Sequence, residues 1–376
     1  MKISYNSNPF RFFIIFTACL FIYFAIQKKK PADLNISSNF EIQPNHYSLI
    51  SEPILDELPN EDEVLRLFQQ WKKEHGRVYS DLEEMTKKFD TFVSNLKFIV
   101  ETNAKRDLPN SAFLGLTNFA DLSMKEYKEK YMTLKTEAID ILNDDDVQEV
   151  TCSDPPSSLD WRSRGAVTPI KQQGDCGCCW AFASVGAIEG IVAIKTGNLV
   201  PLSEQELLDC EPSGNCDGGL VSKGLNWVTR NKGIASQHDY PYTATKDDCR
   251  SSQPQIKNSP GSGIDSRQRL QISDRALLCA VAKQPIIVSV YAESPKFKEY
   301  KGGLFRGEDC PLDSTNVTHG MVVVGYNSEG GEDYWILKNS HGTTWGIQGY
   351  MKMKRDYTKP YGVCGINVQA FIPIKN

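Results

Sequence analysis

Several things are scarce in this chain, and each shortage excludes something. Positive charge is not in excess: 42 Lys+Arg against 47 Asp+Glu leave a formal charge of −5, and no arginine–aromatic stripe runs along the sequence. The electrostatic footprint of a nucleic-acid binder is therefore missing. The longest apolar run, residues 12–26, holds 15 residues, short of the roughly 20 that cross a bilayer as a helix. There is no internal repeat and no low-complexity tract. Histidine is rare, with five in the chain: His46, His75, His238, His319 and His341. Imidazole chemistry thus has few candidates. Otherwise the composition, 40% hydrophobic and 24% charged over 376 residues, is that of a soluble globular protein with two or more folded units.

Cysteine is not scarce, and it is unevenly placed. Of eleven cysteines, Cys19 lies in the apolar N-terminal run and ten lie between Cys152 and Cys364. Such clustering is usual in oxidised secretory proteins, reduced core cysteines being the alternative, and an odd count leaves at least one free thiol. The N-terminus agrees with secretion. Residues 12–26 follow Lys2 and Arg11 and precede Lys28-Lys29-Lys30, which fits the hydrophobic region of a signal peptide. No small-x-small cleavage site follows, so an uncleaved signal-anchor, and with it a membrane-anchored structural protein, is the alternative. In the secretory pathway Asn35-Ile36-Ser37 and Asn316-Val317-Thr318 become glycosylation acceptors.

The pattern divides the chain into a signal or anchor (1–30), a polar linker (31–60), a helical region (61–130), an acidic, aperiodic and cuttable stretch (131–151) and a large domain (152–376). In the helical region Val64, Leu65, Phe68 and Trp71 share one face. Glu84, Lys88, Phe92, Asn95, Ile99 and Asn103 fall on a single stripe of a second helix. Polar groups on a half-buried stripe require specific partners. Gly115 to Asp121 reads as a short strand or turn. In the large domain the first half is helical, with a capping box at Ser203 and Glu206. The second half is strand-like around residues 286–290, 320–326 and 333–338. Helices followed by strands predict an α+β fold with two lobes and a cleft between them.

Chemistry concentrates at Gln173-Gly174-Asp175-Cys176-Gly177-Cys178-Cys179-Trp180. Here a turn-like stretch delivers Cys179 to the start of an apolar, helix-periodic run. A helix N-terminus and a nearby imidazolium both favour the thiolate. His319, at the head of an apolar strand, is the best base. Asn339, at the end of another strand, can orient that imidazole while remaining neutral. Gln173 and the Cys179 N–H can hold an oxyanion. A metal site of Cys176, Cys178 and Cys179 is the weaker reading of the same cysteines.

With these residues the segment resembles the papain-like cysteine peptidases, papain and the cathepsins, most closely their plant members. The steps from Cys179 to His319 (319 − 179 = 140) and to Asn339 (339 − 179 = 160) are those of the family. The resemblance runs from about residue 157 to the end and includes Asp160-Trp161-Arg162, Ser203-Glu204-Gln205-Glu206-Leu207 and Gly362-Val363-Cys364-Gly365. Upstream, the Glu84–Asn103 stripe and Gly115–Asp121 resemble the two motifs of the family's inhibitory propeptide, with Lys88 for Arg and Thr117 for Asn. It implies a two-lobed fold, a helical lobe plus a β-barrel-like lobe, under an N-terminal helical propeptide. It also implies cysteine endopeptidase activity with no cofactor and no metal. Polypeptide substrates, the chain's own propeptide and cystatin-like inhibitors are the implied partners, and a vacuole, a lysosome or the extracellular space the implied destination. Three disulfides are implied, Cys176–Cys216, Cys210–Cys249 and Cys310–Cys364, leaving Cys152, Cys178 and Cys279 unassigned. Gly218 and Gly219 match the backbone that binds extended substrate. Leu220, Val221, Ser289, Gly320 and Gln369 match a specificity pocket suited to a bulky apolar side chain.

Two departures stand out. Cys178 replaces Ser or Ala beside the nucleophile. His341 replaces a Trp whose indole shields the His–Asn hydrogen bond, so that bond is expected to be wetter and weaker. A papain-fold protein with little proteolysis, serving in binding or storage, is the alternative this raises. Release of the propeptide by acid is expected through protonation of paired carboxylates.

Overall fold

A computed structural model of the chain describes residues 54–136, 147–311 and 315–376. The 12–26 run, Cys19, Asn35, most of the 31–60 linker and the Asp144–Asp146 triplet lie outside the described residues.

Three apolar cores organise the fold. The first belongs to α1 (Glu61–Glu74) and α2 (Leu82–Asn103). Asn60 and Glu63 form a capping box at the start of α1, and Asp81 caps α2. α1 buries Val64, Leu67, Phe68 and Trp71. Leu67 thus takes the place expected of Leu65, because the stripe runs i, i+3, i+4, i+7. The polar members of the α2 stripe all have partners. The Glu84 carboxylate accepts from the Ser80 N–H at 2.6 Å, and Lys88 meets Glu126 at 2.6 Å. Asn95 donates to the carbonyls of Ala120 and Leu122 at 2.8 and 3.0 Å. Asn103 donates to the Leu55 and Leu114 carbonyls and accepts from the Leu114 N–H. The stripe clasps β1 (Phe113–Leu114), a turn at residues 118–121, and α3 (Met124–Tyr131).

The second core is helical: α4 (Cys179–Thr196), α5 (Glu204–Cys210) and α6 (Val221–Arg230). α4 is apolar nearly all round, so it is the buried axis of its lobe. It is long and apolar enough to cross a membrane, but most of it lies inside the protein. It ends where Gly197 turns left-handed at φ 75°. Ser203 caps α5, accepting from the Glu206 N–H at 2.9 Å. The expected box does not close, because the Glu206 carboxylate takes the Ala235 N–H at 2.6 Å instead.

The third core is a sheet. Its further elements are β2 (Val147–Gln148), β3 (Leu159–Asp160), β4 (Ser266–Leu270), α7 (Asp274–Val281), β5 (Ile286–Val290), α8 (Pro295–Lys298), β6 (Tyr300–Gly302), β7 (Leu304–Phe305), β8 (His319–Glu329), β9 (Glu332–Lys338), β10 (Tyr350–Lys354) and β11 (Ala370–Ile374). Nine strands join in the order β2-β4-β11-β5-β8-β9-β10-β7, with β3 on β8. β2 pairs parallel with β4, so the end of the 131–151 stretch is anchored to the sheet rather than wholly solvated. β1 pairs antiparallel with β6, fastening the N-terminal helical region to the sheet lobe.

The three implied disulfides are present, and a fourth, Cys152–Cys279, joins the start of the large domain to α7. Its 127-residue separation left nothing local for the sequence to show. Cys178 and Cys179 are the free cysteines among the described residues.

Candidate active site

Three element ends meet here. Cys179 opens α4, His319 opens β8, and Asn339 follows β9. Gly320 allows the approach: a Cβ there would lie 3.3 Å from both the Cys179 carbonyl and the Ala183 side chain. The Gly320 backbone N–H bonds to the Cys179 sulfur. His319 Nε2 lies 2.8 Å from Asn339 Oδ1, buried. Its other nitrogen, Nδ1, makes no side-chain hydrogen bond.

Gln173 is fixed from several directions. Its Oε1 accepts from the Ser340 hydroxyl at 2.6 Å, and its Nε2 donates to the Cys176 carbonyl at 2.9 Å. Its backbone N–H donates to the Ser340 carbonyl, and its backbone carbonyl accepts from the Tyr242 hydroxyl. An amide nitrogen carries two hydrogens, so one remains beyond the bond to Cys176. Beneath this loop lies a buried ion network. Glu189, inside α4, accepts from Lys171, Thr168 and the Leu202 N–H at 2.7, 2.6 and 2.8 Å. Lys171 also meets Glu204 at 2.6 Å, and Lys338 donates to Thr168 at 2.7 Å. These bonds tie the Gln173 loop and the strand leading to Asn339 to α4. The sequence did signal Glu189, as the lone carboxylate in an apolar helix. Ser340 carried no such signal.

Residues 131–135 cross the cleft. The Tyr131 hydroxyl donates to Asp175 at 2.7 Å and the Thr133 hydroxyl to the Gly177 carbonyl at 2.8 Å. The Leu134 N–H donates to the Thr318 carbonyl at 3.2 Å and the Lys135 N–H to the Gly219 carbonyl at 3.1 Å. Gly218, at φ +113°, must be glycine: a Cβ would stand 1.9 Å from the Thr133 carbonyl oxygen. A Cβ on Gly219 would enter the Trp180 ring. Leu134 shares an apolar core with Val221 and Cys179. Ser289 faces Gly320 across the β5–β8 register and donates its N–H to the Gln369 carbonyl. Leu220 is half-buried at the start of α6. Asn316 is exposed two residues before Thr318.

Burial sets the protonation states in this closed form. It pushes the Cys179 thiol up to about 11, against the backbone N–H groups of Gly320, Trp180 and Cys179. Burial likewise pushes His319 down to about 4, against the Asn339 hydrogen bond and the Tyr131 carbonyl. The expected low-pKa thiol is therefore reversed in this form, where Cys179 and His319 are both neutral. Cys178 faces Tyr242, its sulfur 3.0 Å from the hydroxyl, and burial raises it as well.

His341 also departs from expectation. It is 1% exposed, boxed by Phe119, Tyr127, Tyr131 and Trp345. The His319–Asn339 bond beside it is neither wet nor long.

The sequence profile described as "Papain family cysteine protease" matches residues 155–374, more than half of the chain. The chain belongs to the papain family of cysteine proteases. A second profile, the cathepsin propeptide inhibitor domain, matches residues 68–127. Cysteine protease XCP2 of Arabidopsis thaliana is 41% identical over 326 residues, covering 85% of this chain and 89% of that protein. A recombinant stem bromelain precursor superposes with a TM-score of 0.74 at 36% identity, over 83% of this chain and 99% of the other. The proform of the ragweed pollen cysteine protease Amb a 11 gives 0.73 at 33% identity, over 84% and 96%. This papain-family chain is thus a cysteine protease zymogen, α+β and two-lobed, whose N-terminal region is an inhibitory propeptide for a protease acting on polypeptides.

Proposed function

We propose that the mature protein, about residues 152–376, is a secretory-pathway cysteine endopeptidase using Cys179, His319, Asn339 and Gln173. The observation that carries this is the buried His319–Asn339 pair at the head of β8, beside a cysteine at the start of a helix. When the propeptide, about 61–130 with the following segment, leaves the cleft, water returns and the proton moves from Cys179 to His319 Nδ1. The thiolate sulfur then attacks the peptide carbonyl carbon. The Cys179 N–H and the Gln173 amide hold the developing oxyanion. His319 gives its proton to the departing amine, leaving a thioester. Water, losing a proton to His319, hydrolyses it and restores the thiol. Asn339 Oδ1 keeps the imidazole aligned throughout.

An extended substrate would run along Gly218 and Gly219, with a bulky apolar side chain against Leu220, Val221, Ser289, Gly320 and Gln369. Leu134 in the same core supports that preference. Processing falls near 150–155, Asn35 and Asn316 are the glycan acceptors, and a vacuole, a lysosome or the extracellular space is the destination. Cystatin-like proteins are candidate inhibitors. The binding-or-storage alternative rested on a weakened His319–Asn339 bond; in the zymogen that bond is 2.8 Å long and buried, which speaks against it. Hydrolysis of fluorogenic peptides by acid-processed protein tests the reading. Cleavage after sequences with Leu or Phe two residues upstream, abolished in Cys179→Ala, is expected. No turnover on any peptide would refute it.

A further inference from the structure

His341 does something an indole in its place could not. Its Nδ1 lies 3.1 Å from Asn339 Nδ2. An amide nitrogen only donates, so Nδ1 accepts, and an indole nitrogen cannot accept. The bond matters because the two ends of an amide are alike in shape. Only one orientation of Asn339 presents oxygen to His319 Nε2; the reverse would set donor against donor. Two bonds select that orientation: the Ser340 N–H to Oδ1 at 2.8 Å, and Nδ2–H to His341.

We propose that neutral His341 is a positioning residue, fixing the Asn339 amide for His319, and that protonating His341 withdraws this support in the mature enzyme. The proposal rests on the proteolytic reading of Cys179, His319 and Asn339. Accepting on Nδ1 places the proton of neutral His341 on Nε2, which has no partner. A second proton at Nδ1 would face the Asn339 N–H, donor to donor. It would also place a cation with its ring centroid 4.6 Å from that of His319, which must itself be positive to pair with the thiolate. Both effects reduce turnover.

In the zymogen the groups facing His341 are Phe119 of the turn, Tyr127 and Tyr131 of α3, Trp345, His319 and Asn339. The titratable ones are His319 and the two tyrosines, and burial keeps both tyrosines protonated. Burial, then His319, holds His341 neutral there. Departure of the propeptide removes Phe119, Tyr127 and Tyr131, so one face of His341 meets water and the ring can titrate.

The test compares processed wild type with H341N and H341L. Asparagine can place an acceptor oxygen near the Nδ1 position without titrating; leucine cannot accept. Peptide hydrolysis and iodoacetamide alkylation of Cys179, mapped by mass spectrometry to separate it from Cys178, are followed from pH 4 to 8. At pH 7, H341L is expected to lose about tenfold in kcat with KM nearly unchanged, the worth of one hydrogen bond, and H341N to regain most of it. Wild type is expected to show an acid ionisation in both rates that H341N lacks. Matching acid limbs in wild type and H341N, or equal losses in H341N and H341L, would overturn the proposal. If H341L does not fold, the acid limbs of wild type and H341N decide alone. The His341-dependent ionisation in alkylation, without peptide cleavage, would uphold the positioning role and refute the proteolytic reading instead.

Discussion

The zymogen should open in mild acid because of histidines rather than carboxylates. His319 is held near 4 beneath the propeptide against an ordinary 6.5. A base whose pKa is depressed in the closed state binds fewer protons there, so lowering the pH favours release, over a window from 6.5 down to about 4. With alanine in place of the Cys179 thiol, this one group weakens closure by about 2 kcal/mol between pH 7 and pH 5, more than tenfold. His341 acts in the same direction. Two of the carboxylates that could trigger release, Glu126 and Asp175, keep their charge over that range. Burial raises Glu126, yet Lys88 and Ser123 hold it near 2; Asp175, also opposed by burial, is held low by Tyr131 and Lys130. The assay is hydrogen exchange at the Leu134 and Lys135 amides in the Cys179→Ala zymogen, corrected for intrinsic rates. Opening should increase more than tenfold from pH 7 to 5, and His319→Gln in the same background should reduce that rise. Opening that begins only below pH 3, or a rise untouched by His319→Gln, would refute the reasoning.

Other outcomes rest on the same contacts. Ser340→Ala frees the Gln173 amide to rotate, so kcat should fall about tenfold while KM stays within about twofold, read by steady-state kinetics. Glu189→Gln leaves Lys171 and Lys338 undercompensated inside the protein, at a cost of about 3–5 kcal/mol, visible as a lower denaturant midpoint. Cys279→Ser opens a 127-residue loop and should lower stability by about 2–5 kcal/mol while leaving Cys179 reactive. Thermal unfolding beside thiol labelling checks both halves of that statement.

Much of the fold and the site was legible in the sequence because it is local or periodic. A turn feeding an apolar helix marks where Cys179 sits, and apolar strand-like runs place His319 and Asn339 at element ends. Polar residues on the α2 stripe announced partners, and each has one. What was not legible depends on distance or on burial. Cys152 and Cys279 meet only once the chain has folded back across the sheet lobe. The thiol pKa rises instead of falling because Cys179 is fully buried in the folded zymogen, which no local pattern encodes. His341 read as a lost indole, whereas its consequence lies in an acceptor lone pair two residues from Asn339. Leu67 displaced Leu65 because a helix face is set by 3.6-residue periodicity rather than by which apolar residue comes first.

Active-site titration of the acid-processed protein with a thiolate-trapping epoxide tests the proteolytic claim most directly. We expect stoichiometric labelling mapped to Cys179, absent from Cys179→Ala and suppressed in the unprocessed zymogen at neutral pH. Processed protein that takes up no label, or labels equally at Cys178, would contradict it.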